Sequence, residues 1–199
     1  MPSDKEKLMQ KVAGEIDALS QSPLYAFRRE NKYQAVVGEG SLDAAVMFIG
    51  EAPGKSEAQQ GRPFVGASGR VLSELLEEIG LEREDVYITN VVKDRPPNNR
   101  DPQRDEIALY TPFLLRQIEI IQPKVIATLG RFAMDFILAQ FNLPVTGEKI
   151  SQLHGKPIAV QADFGEVTLI PLYHPAVALY NRDQRQTLVE DFQVLRQYI

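Results

Sequence analysis

The sequence predicts an α/β protein, a three-layer α/β/α sandwich around a central, mostly parallel four-stranded sheet. Three observations carry this. Short apolar runs at 44–49, 86–92 and 124–130 read as buried strands. Amphipathic stretches alternate with them, the pattern of βαβ units. Glycine-rich or polar segments follow the runs, and sheets of this kind bind ligands beyond the carboxyl ends of their strands.

The elements follow in order. Residues 4–19 read as a helix with Leu8, Val12, Ile16 and Leu19 on one stripe. Residues 20–40 read as irregular. After the first strand, Gly50 opens a long Gly- and Pro-rich loop over 51–67. A helix over 67–79 places Val71, Leu72, Leu75, Leu76 and Ile79 on one face, with Gly80 as its stop. The prolines of 95–102 exclude helix and central strand, because proline lacks the amide donor. A helix then runs from Pro102 to about 122 with Ile107, Leu114, Ile118 and Ile121. A short helix ends near 141, two strand-like runs occupy 157–161 and 167–172, and a last helix over 183–198 carries Leu188, Phe192, Leu195 and Ile199. Residues 1–199 are expected to form one domain, with 1–40 a helix and arm packed on it.

Composition narrows the function classes. A chain of 199 residues, 44% hydrophobic and 25% charged, suits one ordinary globular domain. It has no cysteine, which excludes disulfides, Cys-ligated zinc, a Cys-ligated cluster and a thiol nucleophile. No secretory signal or membrane-length apolar run is visible, so a cytoplasmic monomer is expected. The net charge of -5 argues mildly against nucleic acid. The stretch 93–104 offsets this locally: Lys93, Arg95, Arg100 and Arg104 stand against Asp94 and Asp101, enough to meet a phosphate backbone.

Four motifs carry candidate chemistry. Gly50-Glu51-Ala52-Pro53-Gly54, followed by Gly61-Arg62-Pro63-Phe64-Val65-Gly66, lets the backbone approach a ligand closely and offers Phe64 as a flat face for a base. The plainer alternative is a connection with Phe64 in the core. Thr89-Asn90 ends a strand with a planar amide that can pair with the O4 and N3–H edge of uracil and mismatches cytosine; a capping role is the alternative. Tyr173-His174-Pro175-Ala176 sets a histidine at a strand end, whereas His154 in its Gly-containing turn reads as structural. The 95–102 loop, with Arg95, Asn98 and Arg100, contacts phosphates or is a solvated loop.

Taken together these motifs resemble the uracil-DNA glycosylase superfamily, its family 4 type closely. The first pair is similar to the family's first active-site motif and the segment after it. Thr89-Asn90-Val91-Val92-Lys93 with Arg95-Pro96-Pro97-Asn98-Asn99-Arg100 resembles the middle motif, and His174-Pro175-Ala176 the last. The match runs in order from about residue 36 to the C-terminus. One departure is plain. Such enzymes usually hold a four-iron cluster on four cysteines, whose positions fall here on Leu19, Ser22, Asp94 and Tyr110. The cluster is therefore expected to be absent, with Leu19 and Tyr110 packing in its place and Asp94 adding a polar contact.

The resemblance implies a DNA repair glycosylase without metal that hydrolyses the N-glycosidic bond of deoxyuridine, in single- or double-stranded DNA. Phe64 would stack on the flipped base, Asn90 would read its edge, and Gly50, Ala52, Pro53 and Gly54 would grip it. His174 would stabilise the charge on uracil O2. Glu51, ahead of Glu57, would place the water. Lys93, Arg95, Asn98 and Arg100 would hold the DNA. Ala176 to Tyr180 would supply a wedge, and Arg182 and Arg185 further phosphate contacts. No lysine stands out as a Schiff-base nucleophile. The rivals are a glycosylase for another deaminated base, a non-catalytic binder of uracil-containing or single-stranded DNA, and a nucleotide-binding module.

Overall fold

A computed structural model describes residues 2–199. Six strands form one sheet in the order β1-β3-β2-β4-β6-β5. They are β1 (Glu39–Gly40), β2 (Val46–Gly50), β3 (Tyr87–Asn90), β4 (Val125–Leu129), β5 (Ile158–Ala162) and β6 (Gly165–Leu172). The four inner strands are mutually parallel. The expectation of four strands is corrected to six, because an antiparallel strand closes each edge: β1 on β3 and β5 on β6. Glu39–Gly40 is too short and too polar to show a strand period, and the 157–161 run forms a hairpin partner rather than an inner strand.

The helices are α1 (Asp4–Asp17), α2 (Pro23–Glu30), α3 (Lys55–Gln60), α4 (Ala67–Glu78), α5 (Arg104–Ile121), α6 (Arg131–Gln140), α7 (Ile150–Leu153) and α8 (Arg182–Gln193). Strand alternation splits the core into two layers. Met47 and Ile49 face Val12, Ile16, Leu114, Ile118, Met134 and Ile137 of α1, α5 and α6. Val46 and Phe48 face Leu72, Leu75, Leu188 and Phe192 of α4 and α8. Both layers are covered, as a parallel sheet requires.

Two elements fall where irregular chain was expected. α2 lies within 20–40, started by Ser22, whose hydroxyl accepts from the Leu24 amide, and by Pro23 in the first turn. α3 lies inside the 51–67 loop and, at six residues, is too short to show a period. Leu8, placed on the buried stripe of α1, is half exposed, while Val12 and Ile16 of that stripe are buried. Ile199 at the chain end is exposed too. No described helix is long and apolar enough to cross a membrane.

Candidate active site

The carboxyl ends of the parallel strands open into a cavity of about 310 Å³. Its wall brings together Glu51 to Gly54 after β2 with Glu57 and Phe64 further along the same loop, Asn90 at the end of β3, the 96–100 loop, and His174 after β6. Gly50 and Asn90 are register partners across β2 and β3. A Cβ on Gly50 would lie 2.4 Å from Asn90 Oδ1 and 2.7 Å from the Phe64 ring, so only glycine lets strand, amide and ring meet. The Asn90 side chain has no protein hydrogen-bond partner among the described residues, yet it lines the cavity.

Phe64 is held by its surroundings. Its φ of 50° lies in the left-handed region, unfavourable for an aromatic residue. Three groups enforce it. Glu57 Oε1 accepts from the amides of Val65 (2.9 Å) and Gly66 (2.8 Å). Arg83 donates to the carbonyls of Phe64 (3.1 Å) and Pro63 (2.8 Å). Gly69 gives room for the Phe64 carbonyl, which a Cβ there would meet at 1.7 Å. The ring faces His174 with centroids 5.8 Å apart. Phe64, Asn90 and His174 therefore border one space.

His174 has a defined tautomer. The Ala176 amide donates to its Nδ1 at 3.1 Å, so a neutral ring carries its proton on Nε2. Burial lowers the imidazole pKa and favours that neutral form. Gly130, with φ +96°, lies beside it: a Cβ there would meet His174 Cβ at 3.2 Å. Glu51 is titrated the other way. Burial chiefly, and the nearby Asp101 charge, raise its carboxyl pKa, and Arg131 offsets part of this. Glu57 lines the same cavity, with one carboxylate oxygen committed to the Phe64 loop.

The candidate DNA contacts separate into several environments. Asn98 is exposed. Arg95 donates to Tyr33 Oη and Asn99 Oδ1, and Arg100 forms a two-pronged pair with the buried Glu106. Tyr180 projects into solvent at 89% exposure, with Ala176 in the preceding turn. Arg182 is exposed, while Arg185 is paired with Glu74. Lys93 is corrected: its side chain is fully buried and cannot reach a phosphate in this conformation. His154 pairs with Asp191 at 2.9 Å, in keeping with its structural reading. The sequence reading missed Ser68, Pro96 and Asn99 in the cavity wall, and Arg131 and Asp101 beside Glu51. The one available signal was Gly130-Arg131, a strand end followed by a glycine and a helix, as at the other motifs.

The four positions that the resemblance sets against cluster cysteines, Leu19, Ser22, Asp94 and Tyr110, lie at another corner. Tyr110 donates to Asp94 Oδ2 (2.7 Å) and shares a hydrogen bond with Ser22 Oγ (3.0 Å), all three side chains being buried. Arg28, buried as well, has Nε 3.4 Å from Asp94 Oδ1 and is paired with Asp17. Leu19 packs against the adjacent core. A phenol, a hydroxyl and a carboxylate hydrogen-bonded together, with a leucine packed nearby, do not fit a four-iron cluster, which takes thiolates. Tyr110 was expected to pack as an apolar ring; its hydroxyl in fact joins the other two groups.

Comparison with known proteins agrees with this geometry. The family model described as the uracil DNA glycosylase superfamily matches residues 37–196. The Type-4 uracil-DNA glycosylase of Sulfurisphaera tokodaii is 45% identical over 190 residues, 95% of this chain and 84% of that protein. The Type-4 enzyme of Thermotoga maritima is 43% identical over 98% of this chain and 96% of its own. That of Archaeoglobus fulgidus is 48% identical over 82% of this chain and 81% of its own. With the motifs, their meeting at one sheet rim and these matches in agreement, the chain belongs to the uracil-DNA glycosylase superfamily, in its type-4 branch.

Proposed function

We propose that this protein hydrolyses the N-glycosidic bond of deoxyuridine in DNA, releasing uracil and leaving an abasic site. The observation that carries the reading is the meeting of an unpartnered Asn90 amide, the Phe64 ring and a neutral His174 around one cavity. The target atom is hidden in a duplex, so the nucleotide is flipped out, at a cost of a few kcal/mol. Phe64 stacks on the base and Asn90 pairs with its O4 and N3–H edge. As the bond breaks, negative charge grows on uracil O2, and His174 Nε2–H donates to it as an oxyanion hole does. Glu51, as a carboxylate, orients the water that attacks the cationic sugar. Glu57 holds the Phe64 loop with one oxygen and keeps the other toward the cavity. Arg95, Asn98 and Arg100 track the backbone, while Ala176 and Tyr180 support the gap left in the stack. Incubation with a labelled uracil-containing strand, then alkali, tests this: cleavage at the uracil position is expected, and an intact strand after prolonged incubation refutes it.

The enzyme works as a cytoplasmic monomer without an iron–sulfur cluster. The hydrogen-bonded Ser22–Asp94–Tyr110 corner supports the absence of the cluster, since it fastens the same segments by other means. Iron analysis and a visible absorption spectrum decide it: stoichiometric iron refutes the proposal.

A further inference from the structure

Lys93 is a buried amine without a carboxylate partner among the described residues. Burial pushes its pKa well below the ordinary lysine range. Burying such a group is costly unless every polar contact is made. Here they are made. Nζ lies 2.7 Å from Thr89 Oγ1, 2.7 Å from the Asn90 carbonyl oxygen and 2.5 Å from Gln117 Oε1. Gln117 is itself oriented, because its Nε2 donates to the Val37 carbonyl at 2.9 Å. An ammonium gives one N–H to each acceptor. A neutral amine still gives two, to Asn90 and Gln117; its lone pair gains the Thr89 proton only if that hydroxyl leaves the Val37 carbonyl, which Gln117 Nε2 still serves. The bond to Asn90 survives in either state.

We propose that Lys93 is a positioning residue for base readout: it fixes the strand end from which the Asn90 amide projects into the cavity. The peptide between Asn90 and Val91 is held at both polar atoms. Lys93 Nζ takes its carbonyl, and the Gly50 carbonyl takes its N–H at 2.9 Å. Successive side chains of a strand point to opposite faces, so Thr89 turns toward the α1 and α5 layer, where Gln117 lies, and Asn90 toward Phe64. Lys93 therefore acts through the main chain and touches no base. Holding the main chain at both polar atoms fixes where the Asn90 side chain enters the cavity, and so the place at which its amide meets the edge of the base. The inference rests on the assignment of readout to Asn90.

A double-mutant cycle on the full chain tests it, read as single-turnover base release from a uracil-containing strand. Lys93→Met is expected to slow release by ~10-fold or more in the wild-type background and by less than about 2-fold in the Asn90→Ala background, the signature of coupled residues. Affinity for DNA carrying an uncleavable abasic analogue should stay within about 2-fold, by the same separation of roles. A wild-type rate in Lys93→Met, or an equal loss in both backgrounds, overturns the inference. If Lys93→Met does not fold at the assay temperature, Gln117→Met carries the same cycle, with the same two outcomes deciding. Failure of the readout assignment looks different: Asn90→Ala alone would then release uracil at the wild-type rate.

Discussion

The rim of the sheet and the Tyr110 corner are both built from polar side chains, but they use them in opposite ways. At the corner, Ser22, Asp94, Tyr110 and Arg28 turn toward one another and bind segments distant in sequence. At the rim, His174 and Asn90 line the cavity and neither His174 Nε2 nor the Asn90 amide has a protein hydrogen-bond partner among the described residues, while backbone groups hold the residues that carry them. A group that bonds to other parts of the protein fastens it, even where, as at Asp94 Oδ1 and Arg28 Nε, the contact is an ion pair rather than a hydrogen bond. A group left unsatisfied at a cavity wall is available for a substrate. The same residue chemistry thus serves stability in one place and reaction in the other.

Mutations should keep the two regions apart. The largest effect is expected at the rim. His174→Ala should slow single-turnover base release by about 10²–10³, the worth of an oxyanion donor, with Tm and DNA affinity little changed. A near-normal rate would remove the histidine from the chemistry. At the corner the pattern should reverse. Asp94→Ala leaves Tyr110 without its acceptor and weakens the pairing of Arg28, which Asp17 retains in part. A loss of about 3 kcal/mol follows, roughly 6–12 °C in Tm, with the rate at 25 °C nearly unchanged. Tyr110→Phe should cost about 1 kcal/mol on the same thermal measurement, because it deletes one hydroxyl from a network whose members keep other contacts. If it lowers the rate more than the Tm, the corner is not merely a fastening.

The smallest effect concerns pH. On the proposed mechanism Glu51 acts as a carboxylate, and burial and Asp101 raise its pKa, so activity should fall on the acid side at a higher pH than a free glutamate would give. Asp101→Asn removes a like charge, lowers that pKa and should move the acid limb to lower pH by a fraction of a unit. Arg131→Gln should move it to higher pH. Profiles of kcat/KM for the three proteins check both signs. His174 is held neutral by burial and should add no limb near its ordinary pKa.

Much of this was legible before any coordinates. Runs such as 44–49 and 124–130 are apolar because both faces of an inner strand are covered, and such runs are hard to mistake. The motif residues stand after them because that is where a parallel sheet exposes its chain. What the sequence hid depends on distance. Lys93 reads as solvated, since lysines usually are. Its burial is explained by three acceptors, Thr89 and the Asn90 carbonyl close by and Gln117, 24 positions away. The commitment of Glu57 to Val65 and Gly66 depends on the short helix α3, which had no period to reveal it. Glu39–Gly40 pairs with β3 through its backbone, and its one long side chain turns to Arg62 and Arg83, so two polar residues show no strand period.

The Tyr110 corner has a chemical consequence. A phenol, an alcohol and a carboxylate resist the peroxide that oxidises a thiolate, and their bonds to one another need no metal. If the corner is fastened in this way alone, as proposed, this part of the fold should keep its shape whether iron is scarce or oxidants are abundant.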